Sequence, residues 1–491
     1  MKADESMISE MSRRNAAESG RWSAARSRNG TLGQPVELTI RIVVRTRRGA
    51  SRDSTAGREG PRHESTPRRS PFRAATPYQP RCKPQLVSGS MRRALLLVEN
   101  ASVPSDPRVW AEACAIRDAG WSVTVVGPQG RRDMAPRERL EEIDLVRFPH
   151  APASGGALGY VREYASALWH VRRAVSTLER DGAIDVIHAA TPPDVLLLAA
   201  RKARRRGTAT ILDHHDLSPE LFEAKFGRRG AVYQSLRRAE RLGFVNADVV
   251  ISTNESFRRR ALEQGGHQPD DVFVVRNGPD PAIFRPQPPD PALRTRAPFL
   301  VGFVGLMGSQ DGVLEAMQIL GLLGRIRSDW HAVFVGDGEM LEPARRLLAE
   351  LGISSHVTFA GFVSDRQVVA RMIASCDVCI SPEPKNPLND RSTLIKIGEY
   401  MAVERPIVAF GLTESRFTAG DAAVFVDTPE EFASAISALL DAPERRREMG
   451  ATGRARISGE LSWARSRDAL LAAYERALVR ASSRCTRRHS L

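Results

Sequence analysis

From residue 92 onward, short unbroken apolar runs alternate with longer stretches whose apolar positions recur at helical spacing. Ala94–Val98 is the first run. A polar loop, NASVPSDPR, follows, then an amphipathic stretch over Val109–Ala119 ended by Gly120, then a second run, SVTVVG. A strand buried on both faces reads as a continuous apolar run, and a helix between two such strands makes a crossover in a parallel sheet. The pattern predicts further strands at Asp185–His188, Ala209–Leu212, Val249–Ser252 and Val272–Val275. Helices are expected around Tyr160–Glu179, Pro193–Arg205 and Arg229–Phe244.

A proline-dense stretch, NGPDPAIFRPQPPDPALRTRAP, then interrupts the alternation and marks a domain boundary. Beyond it the pattern restarts with the strand FLVGFVG, a helix over Val313–Leu323, the strand HAVFVGDGE and a helix over Pro343–Leu351. HVTFAG, DVCISP and PIVAF read as the remaining strands. The expected class is α/β, with two doubly wound Rossmann-like domains facing a cleft, over residues 91–285 and 286–461. A helix over 462–480 and a disordered tail over 481–491 close the chain. Ligands of such sheets sit at the carboxyl ends of the strands, and a cleft between two of them is a natural binding place.

The net charge of +14 over 491 residues changes meaning once it is located. Residues 1–90 hold 18 Lys and Arg against 8 Asp and Glu, and the remainder holds 54 against 50. The body of the chain is therefore near neutral, so the charge does not mark a nucleic-acid-binding face. Residues 1–90 are rich in Arg, Ser, Gly and Pro and lack sustained periodicity; only Pro35–Val44 reads as a strand. Such a segment is expected to be a disordered basic extension, and Met91, just before RRALLLVE, reads as the natural start. There is no long apolar run to span a membrane and no apolar signal-peptide core. The five cysteines are scattered, and Cys376 and Cys379, at the start of a buried strand, read as core.

The candidate chemistry lies in SPEPKNPLNDRSTLIKIGEYMAVERPIVAF, residues 381–410. A strand runs into a Pro/Asn/Asp-rich loop, and a helix is expected to open near Ser392. A helix N-terminus has unpaired N–H groups and partial positive charge, which suit a phosphate. Ser392 and Thr393 add hydroxyls there, Lys396 lies one turn in, and Glu399 suits the paired hydroxyls of a ribose. Together these describe a nucleotide-diphosphate site. Neither domain opens with G-x-G-x-x-G, and there is no G-x-x-x-x-G-K-[ST], which argues against a dinucleotide-dependent oxidoreductase and a P-loop enzyme. The His and Cys spacings suggest no metal site.

With these residues assembled, the chain resembles the retaining glycosyltransferases of the GT-B fold, family 4 (glycosyl transferases group 1), over about Met91 to Leu478. SDPRVWAEACAIRDAGWSVTVV is similar to that family's first loop and helix, VVRNGPDPAIF to its interdomain signature, and DRSTLIKIGEYMAVERPIVAF to its donor-nucleotide segment. ELSWARSRDALLAAYERAL resembles its closing helix, which returns to the first domain. The resemblance implies that Glu399 binds ribose and that Lys396, Ser392, Thr393, Asp390, Arg391 and Gly305 surround the donor nucleotide. Arg391 stands eight residues before Glu399, where the family usually has an acid. Leu306 and Asp311 stand where it has an Arg and a Lys that clamp the diphosphate. In LDHHDLSPELF, His215 is the residue matched to a contact with the transferred sugar, with His214 as the alternative. Ser105, Asp106 and Arg108 would face the acceptor.

The implied activity is transfer of a sugar from a nucleotide-diphosphate sugar to an unidentified acceptor, with retention, no metal and no cofactor. The implied setting is a cytoplasmic enzyme of cell-envelope polysaccharide biosynthesis. Two other functions use the same fold: a catalytically silent nucleotide-sugar-binding or scaffold protein, and a sugar-nucleotide epimerase. The acceptor cannot be read from the residues. The basic, amphipathic stretch Gly227–Phe244 leaves peripheral contact with the inner face of a membrane open. No nucleic-acid partner is expected.

Overall fold

The structure is a computed structural model that describes residues 91–130, 134–149 and 156–489. The expectations for residues 1–90, including the Pro35–Val44 strand, fall outside these residues.

Among the described residues the strands form two sheets. The first has β1 (Arg93–Leu97), β2 (Ser122–Pro128), β3 (Arg137–Leu140), β4 (Ile143–Phe148), β5 (Val186–Ala190), β6 (Ala209–His214), β7 (Val249–Ser252) and β8 (Val272–Val274). Their order across the sheet is β3-β4-β2-β1-β5-β6-β7-β8, parallel except for the β3–β4 hairpin at one edge. The second sheet has β9 (Phe299–Val304), β10 (Trp330–Val335), β11 (Val357–Gly361), β12 (Val378–Ser381), β13 (Ile407–Phe410) and β14 (Ala423–Val426). Its order, β11-β10-β9-β12-β13-β14, is parallel throughout. Both sheets reverse their winding at a central strand, as doubly wound sheets do, and both are covered on each face.

The central strands match the expected apolar runs. The hairpin β3–β4 was not expected, because RERL is charged and exposed. The stretch expected as one helix over Pro193–Arg205 is a 3-10 segment, Leu196–Ala200, followed by a short helix, Arg201–Arg206. The stretch around Arg229–Phe244 forms helix Ala231–Asn246, starting two residues later than expected, and a separate helix, Ser218–Phe226, precedes it.

The closing helix runs Trp463–His489, so most of the tail expected to be disordered is helical. Its Leu470, Ala473, Tyr474 and Ala477 are completely buried in the core of the first sheet, beside Val109 and Ile116. Arg476 and Arg484 pair with Asp271 and Asp248 of that domain. These contacts hold the late residues in place, and a composition-based reading has no access to them.

Candidate active site

In the second domain three loops meet at the carboxyl ends of β9, β10 and β12. Gly305 follows β9 at φ 150, a conformation that disfavours side chains. Gly312 lies so close to the β12 loop that a Cβ there would sit 2.1 Å from the Pro382 carbonyl oxygen. Asn389 donates to the carbonyls of Gln310 and Pro384, each at 2.9 Å, and ties the β9 loop to the β12 loop.

The helix expected near Ser392 opens later than that. Asn389–Arg391 forms a 3-10 turn, and the α-helix runs Ile395–Ala402 with Leu394 at its N-cap. Ser392 ends the 3-10 turn: its N–H bonds to Leu388 and Asn389, and its hydroxyl donates to the Leu388 carbonyl at 2.8 Å. Its favoured capping chemistry is thus spent on the preceding turn. Lys396 is consequently in the first turn of the helix. It is buried, paired with Glu383, and its ammonium lies 4.1 Å from the centre of the Phe303 ring. A Cβ on Gly305 would be 2.9 Å from its Nζ, so the ammonium sits at the end of β9. That is the strand after which Leu306 and Asp311 stand in place of the family's cations. Leu306 is 70 % exposed, and Asp311 accepts from Gly308 N–H at 2.9 Å. Glu399 is buried and paired with Arg366; burial raises its pKa against the lowering effect of Arg366 and Lys396. Asp390 accepts from the N–H and hydroxyl of Thr413, and Arg391 donates to the Pro387 carbonyl.

In the first domain the ends of β5 and β6 carry the counterpart. His215 donates its backbone N–H to Thr191 Oγ1 at 3.2 Å, and its Nδ1 lies 2.9 Å from Asp213 Oδ2. Nε2 is the ring nitrogen left for a ligand. Burial acts against the charged imidazole, but the adjacent Asp213 prevails and raises its pKa. His214 is fully buried, bonded to Glu240 at 3.2 Å and packed on Phe244 and Phe257. Its side chain faces the core and has no route to a sugar.

Arg108 and Asp106 also differ from expectation. Asp106 caps helix Pro107–Asp118, accepting from Arg108 and Val109 N–H, and is buried. Arg108 turns inward. Its guanidinium grips both oxygens of Asp213, at 2.8 and 2.6 Å, and donates to the Val275 carbonyl and Asn277 Oδ1. The resemblance implied that it would face the acceptor; here a carboxylate 105 residues away draws it into the core. Of the three acceptor-side residues only Ser105 is exposed.

Behind Arg108 lie Glu112, 3.1 Å from its guanidinium, and His188, whose Nδ1 is 3.1 Å from the Tyr474 hydroxyl of the closing helix. Burial raises the Glu112 pKa to about 8, though Arg108 opposes this, and lowers that of His188 to about 4. Despite burial, Arg108 and His215 hold Asp213 well below the carboxylate range. Donor atoms of Glu112, His188 and Asp213 lie within 4.8 Å of one another, a spacing a metal could use. The Arg108 guanidinium already stands against both carboxylates, so a cation of the protein occupies that place. Asp213, Glu112 and Tyr474 were not singled out from sequence, and no local signal marks them.

The two halves meet at the end of β7 and the loop that follows β12. His214 and Ser252 are register partners on β6 and β7. Two residues beyond Ser252, Asn254 Nδ2 donates to the Arg391 carbonyl at 2.8 Å and to Thr393 Oγ1 at 2.9 Å, while its Oδ1 caps the following helix at Phe257 N–H. Ser256 N–H donates to Glu414, and the Arg276 guanidinium lies 4.4 Å from the centre of the Phe417 ring. The His215 strand end is thereby brought to the approach of helix Ile395–Ala402.

Residues 106–278 match the glycosyl transferase 4-like domain, and residues 298–442 match glycosyl transferases group 1. The chain belongs to the group 1, family 4 glycosyltransferases. Among its relatives is the GDP-mannose-dependent alpha-(1-6)-phosphatidylinositol dimannoside mannosyltransferase of Mycobacterium tuberculosis. That protein is 26 % identical over 393 residues, covering 77 % of this chain and 92 % of the relative. The putative glycosyltransferase EpsD of Bacillus subtilis is 24 % identical, covering 69 % and 85 %. Among solved structures, sucrose-phosphate synthase from Thermosynechococcus elongatus aligns with a TM-score of 0.60 at 17 % identity, covering 77 % of this chain and 96 % of that one. Anabaena HepE, solved with UDP and glucose, aligns with a TM-score of 0.57 at 18 % identity, covering 77 % and 97 %. The glycosyltransferase thus has the GT-B fold. Among its described residues no helix is long and apolar enough to cross a membrane.

Proposed function

We propose that this glycosyltransferase moves a sugar from a nucleoside-diphosphate sugar to a hydroxyl-bearing acceptor, with retention and without a metal. The observation that carries this reading is the bridge from Asn254 to Thr393, which sets the His215 strand end beside the first turn of helix Ile395–Ala402. In this reading Glu399 leaves Arg366 to share the ribose hydroxyls. The diphosphate lies over the first turn of the helix, with Lys396 supplying the cation that Leu306 and Asp311 do not. Breaking the glycosidic bond builds negative charge on the leaving diphosphate and positive character on the sugar. Preformed N–H groups and a fixed ammonium lower the energy of that charge separation without reorganising at the moment of reaction. His215 donates or accepts through Nε2 at the sugar, held in orientation by Asp213.

Relatives named for GDP-mannose and neighbours solved with UDP-glucose make a hexose on a nucleoside diphosphate the first donor to test. A panel of such sugars, followed by nucleoside diphosphate release with candidate acceptors, tests the reading. Product anomeric configuration by NMR tests retention, and activity in excess chelator tests metal independence. Binding of no nucleotide sugar in the panel would remove the donor assignment.

A further inference from the structure

One face of the first sheet is covered by helix Pro107–Asp118 and the closing helix. The other is covered by helix Gly156–Leu178, segment Leu196–Ala200 and helix Ala231–Asn246, and both of these helices pack on that segment. The outer surface of this second layer is unusual. Between helix Gly156–Leu178 and helix Arg201–Arg206 lies a shallow groove of about 470 Å³, lined by Leu168, Trp169, Arg172, Arg201, Lys202 and Arg205 among others, with no acid in its wall. Trp169 is 58 % exposed, and the Arg173 guanidinium lies 5.8 Å from the centre of its ring.

The charge on this face is only partly neutralised locally: Arg204 and Arg206 pair with Asp248 and Glu179. Among the described residues Arg172, Arg201, Lys202 and Arg205 make no ion pair. Helix Arg201–Arg206 contains no acid. In helix Ala231–Asn246 the sole acid, Glu240, is buried against Arg260 and His214. That helix turns Arg238 and Arg241 outward together with Leu242 and Val245, which are 46 % and 50 % exposed.

We infer that this face docks the first domain on an anionic lipid surface. Three features favour a membrane over a polyanion. The layer is built of helices packed on one shared segment, Leu196–Ala200. Its cations are interleaved with an exposed indole and aliphatic side chains, which a headgroup layer buries and a phosphate backbone does not. The aromatic ring is Trp, whose apolar body and polar N–H suit the membrane–water boundary. Each Lys or Arg near an anionic leaflet contributes about fivefold in partitioning, so a handful suffices for a salt-sensitive peripheral contact.

The test is co-sedimentation of the full chain with vesicles of phosphatidylcholine alone and of phosphatidylcholine with phosphatidylglycerol. Binding is expected only to the anionic vesicles, and it should weaken as salt rises. Replacing Arg172, Arg201 and Arg205 together by Gln should lower partitioning about 100-fold, with the thermal unfolding transition unchanged because all three are exposed. Trp169→Phe should remove a blue-shifted component from the tryptophan emission of the vesicle-bound protein. Three results would each overturn the inference. The first is equal binding to neutral vesicles. The second is binding undiminished by the triple substitution, which would put the contact elsewhere, for instance in the basic residues 1–90. The third is tighter binding to single-stranded RNA than to anionic vesicles at the same salt.

Discussion

Lys396 offers the most searching test of the proposed donor site, because its environment separates a structural role from a phosphate-binding one. Its ammonium is buried against Glu383, whose other carboxylate oxygen accepts from the Ser381 hydroxyl. Lys396→Met alone strands the Glu383 carboxylate, which is 1 % exposed, and breaking a buried pair from one side costs about 3–5 kcal/mol. Pairing it with Glu383→Gln removes the stranded charge and keeps an acceptor for Ser381, so most of that cost should be recovered. The double variant is therefore the one in which to measure ligands. If Lys396 meets the diphosphate, the lost charged hydrogen bond is worth about 1.5–3 kcal/mol, a weakening of nucleoside diphosphate affinity of about 10- to 150-fold. Affinity for the bare nucleoside should be unchanged within about twofold. Titration calorimetry with both ligands at low and high salt reads this directly, and the gap between them should narrow as salt rises. Equal losses for the two ligands, or a gap that ignores salt, would refute the phosphate role and leave Lys396 as the partner of Glu383 alone.

Glu399→Ala should weaken nucleotide binding by about 1.5–3 kcal/mol, and because burial raises the Glu399 pKa, wild-type affinity should fall on acidification before ordinary carboxylates protonate; unchanged affinity in a folded variant would remove the ribose assignment. His215→Ala should cut kcat far more than nucleotide affinity, since a group at the sugar acts on the transition state; a loss confined to affinity would contradict it. Asn254→Ser keeps an oxygen to cap the helix that follows but loses the donors to Arg391 and Thr393, so it should raise the donor KM and be non-additive with Thr393→Val, and strict additivity in the double-mutant cycle would show that the bridge is idle. Glu112 protonates more readily folded than unfolded, so its contribution to stability is complete below the ordinary carboxylate range and is lost as pH rises toward about 8. Glu112→Gln should therefore flatten urea-measured stability over that window, and an unaltered pH profile would count against a protonated Glu112.

The two-domain plan was legible because parallel strands buried on both faces leave unbroken apolar runs, as in FLVGFVG and DVCISP. The edge hairpin was not, because an exposed, charged strand such as Arg137–Leu140 carries no such signature. The strand–loop–helix order of residues 381–410 was legible, but the helix start was misjudged by three residues. Ser392 satisfies the general preference for a cap, and only the tertiary loop shows that its hydroxyl is committed to Leu388. Arg108 and Asp106 were placed facing the acceptor by resemblance alone. Asp106 is instead spent on capping its own helix, and the partners that draw Arg108 inward, Asp213, Val275 and Asn277, lie more than a hundred residues away. Asn254 was not singled out from sequence: its oxygen caps the helix that follows, and the partners of its amide nitrogen lie about 140 residues further along the chain.

The closing helix has a consequence for how the chain comes into being. Tyr474, wholly enclosed in the core of the first domain and bonded to His188, belongs with its closing-helix neighbours to a core whose remaining members are synthesised about two hundred residues or more earlier. On the ribosome the second domain can complete its sheet from a contiguous stretch. The first domain must wait with an open flank until the last residues of the chain emerge. The domain that begins first is thus finished last. A nascent chain arrested before residue 470 should leave an apolar trough beside β5, β6 and β7, the surface a chaperone would hold.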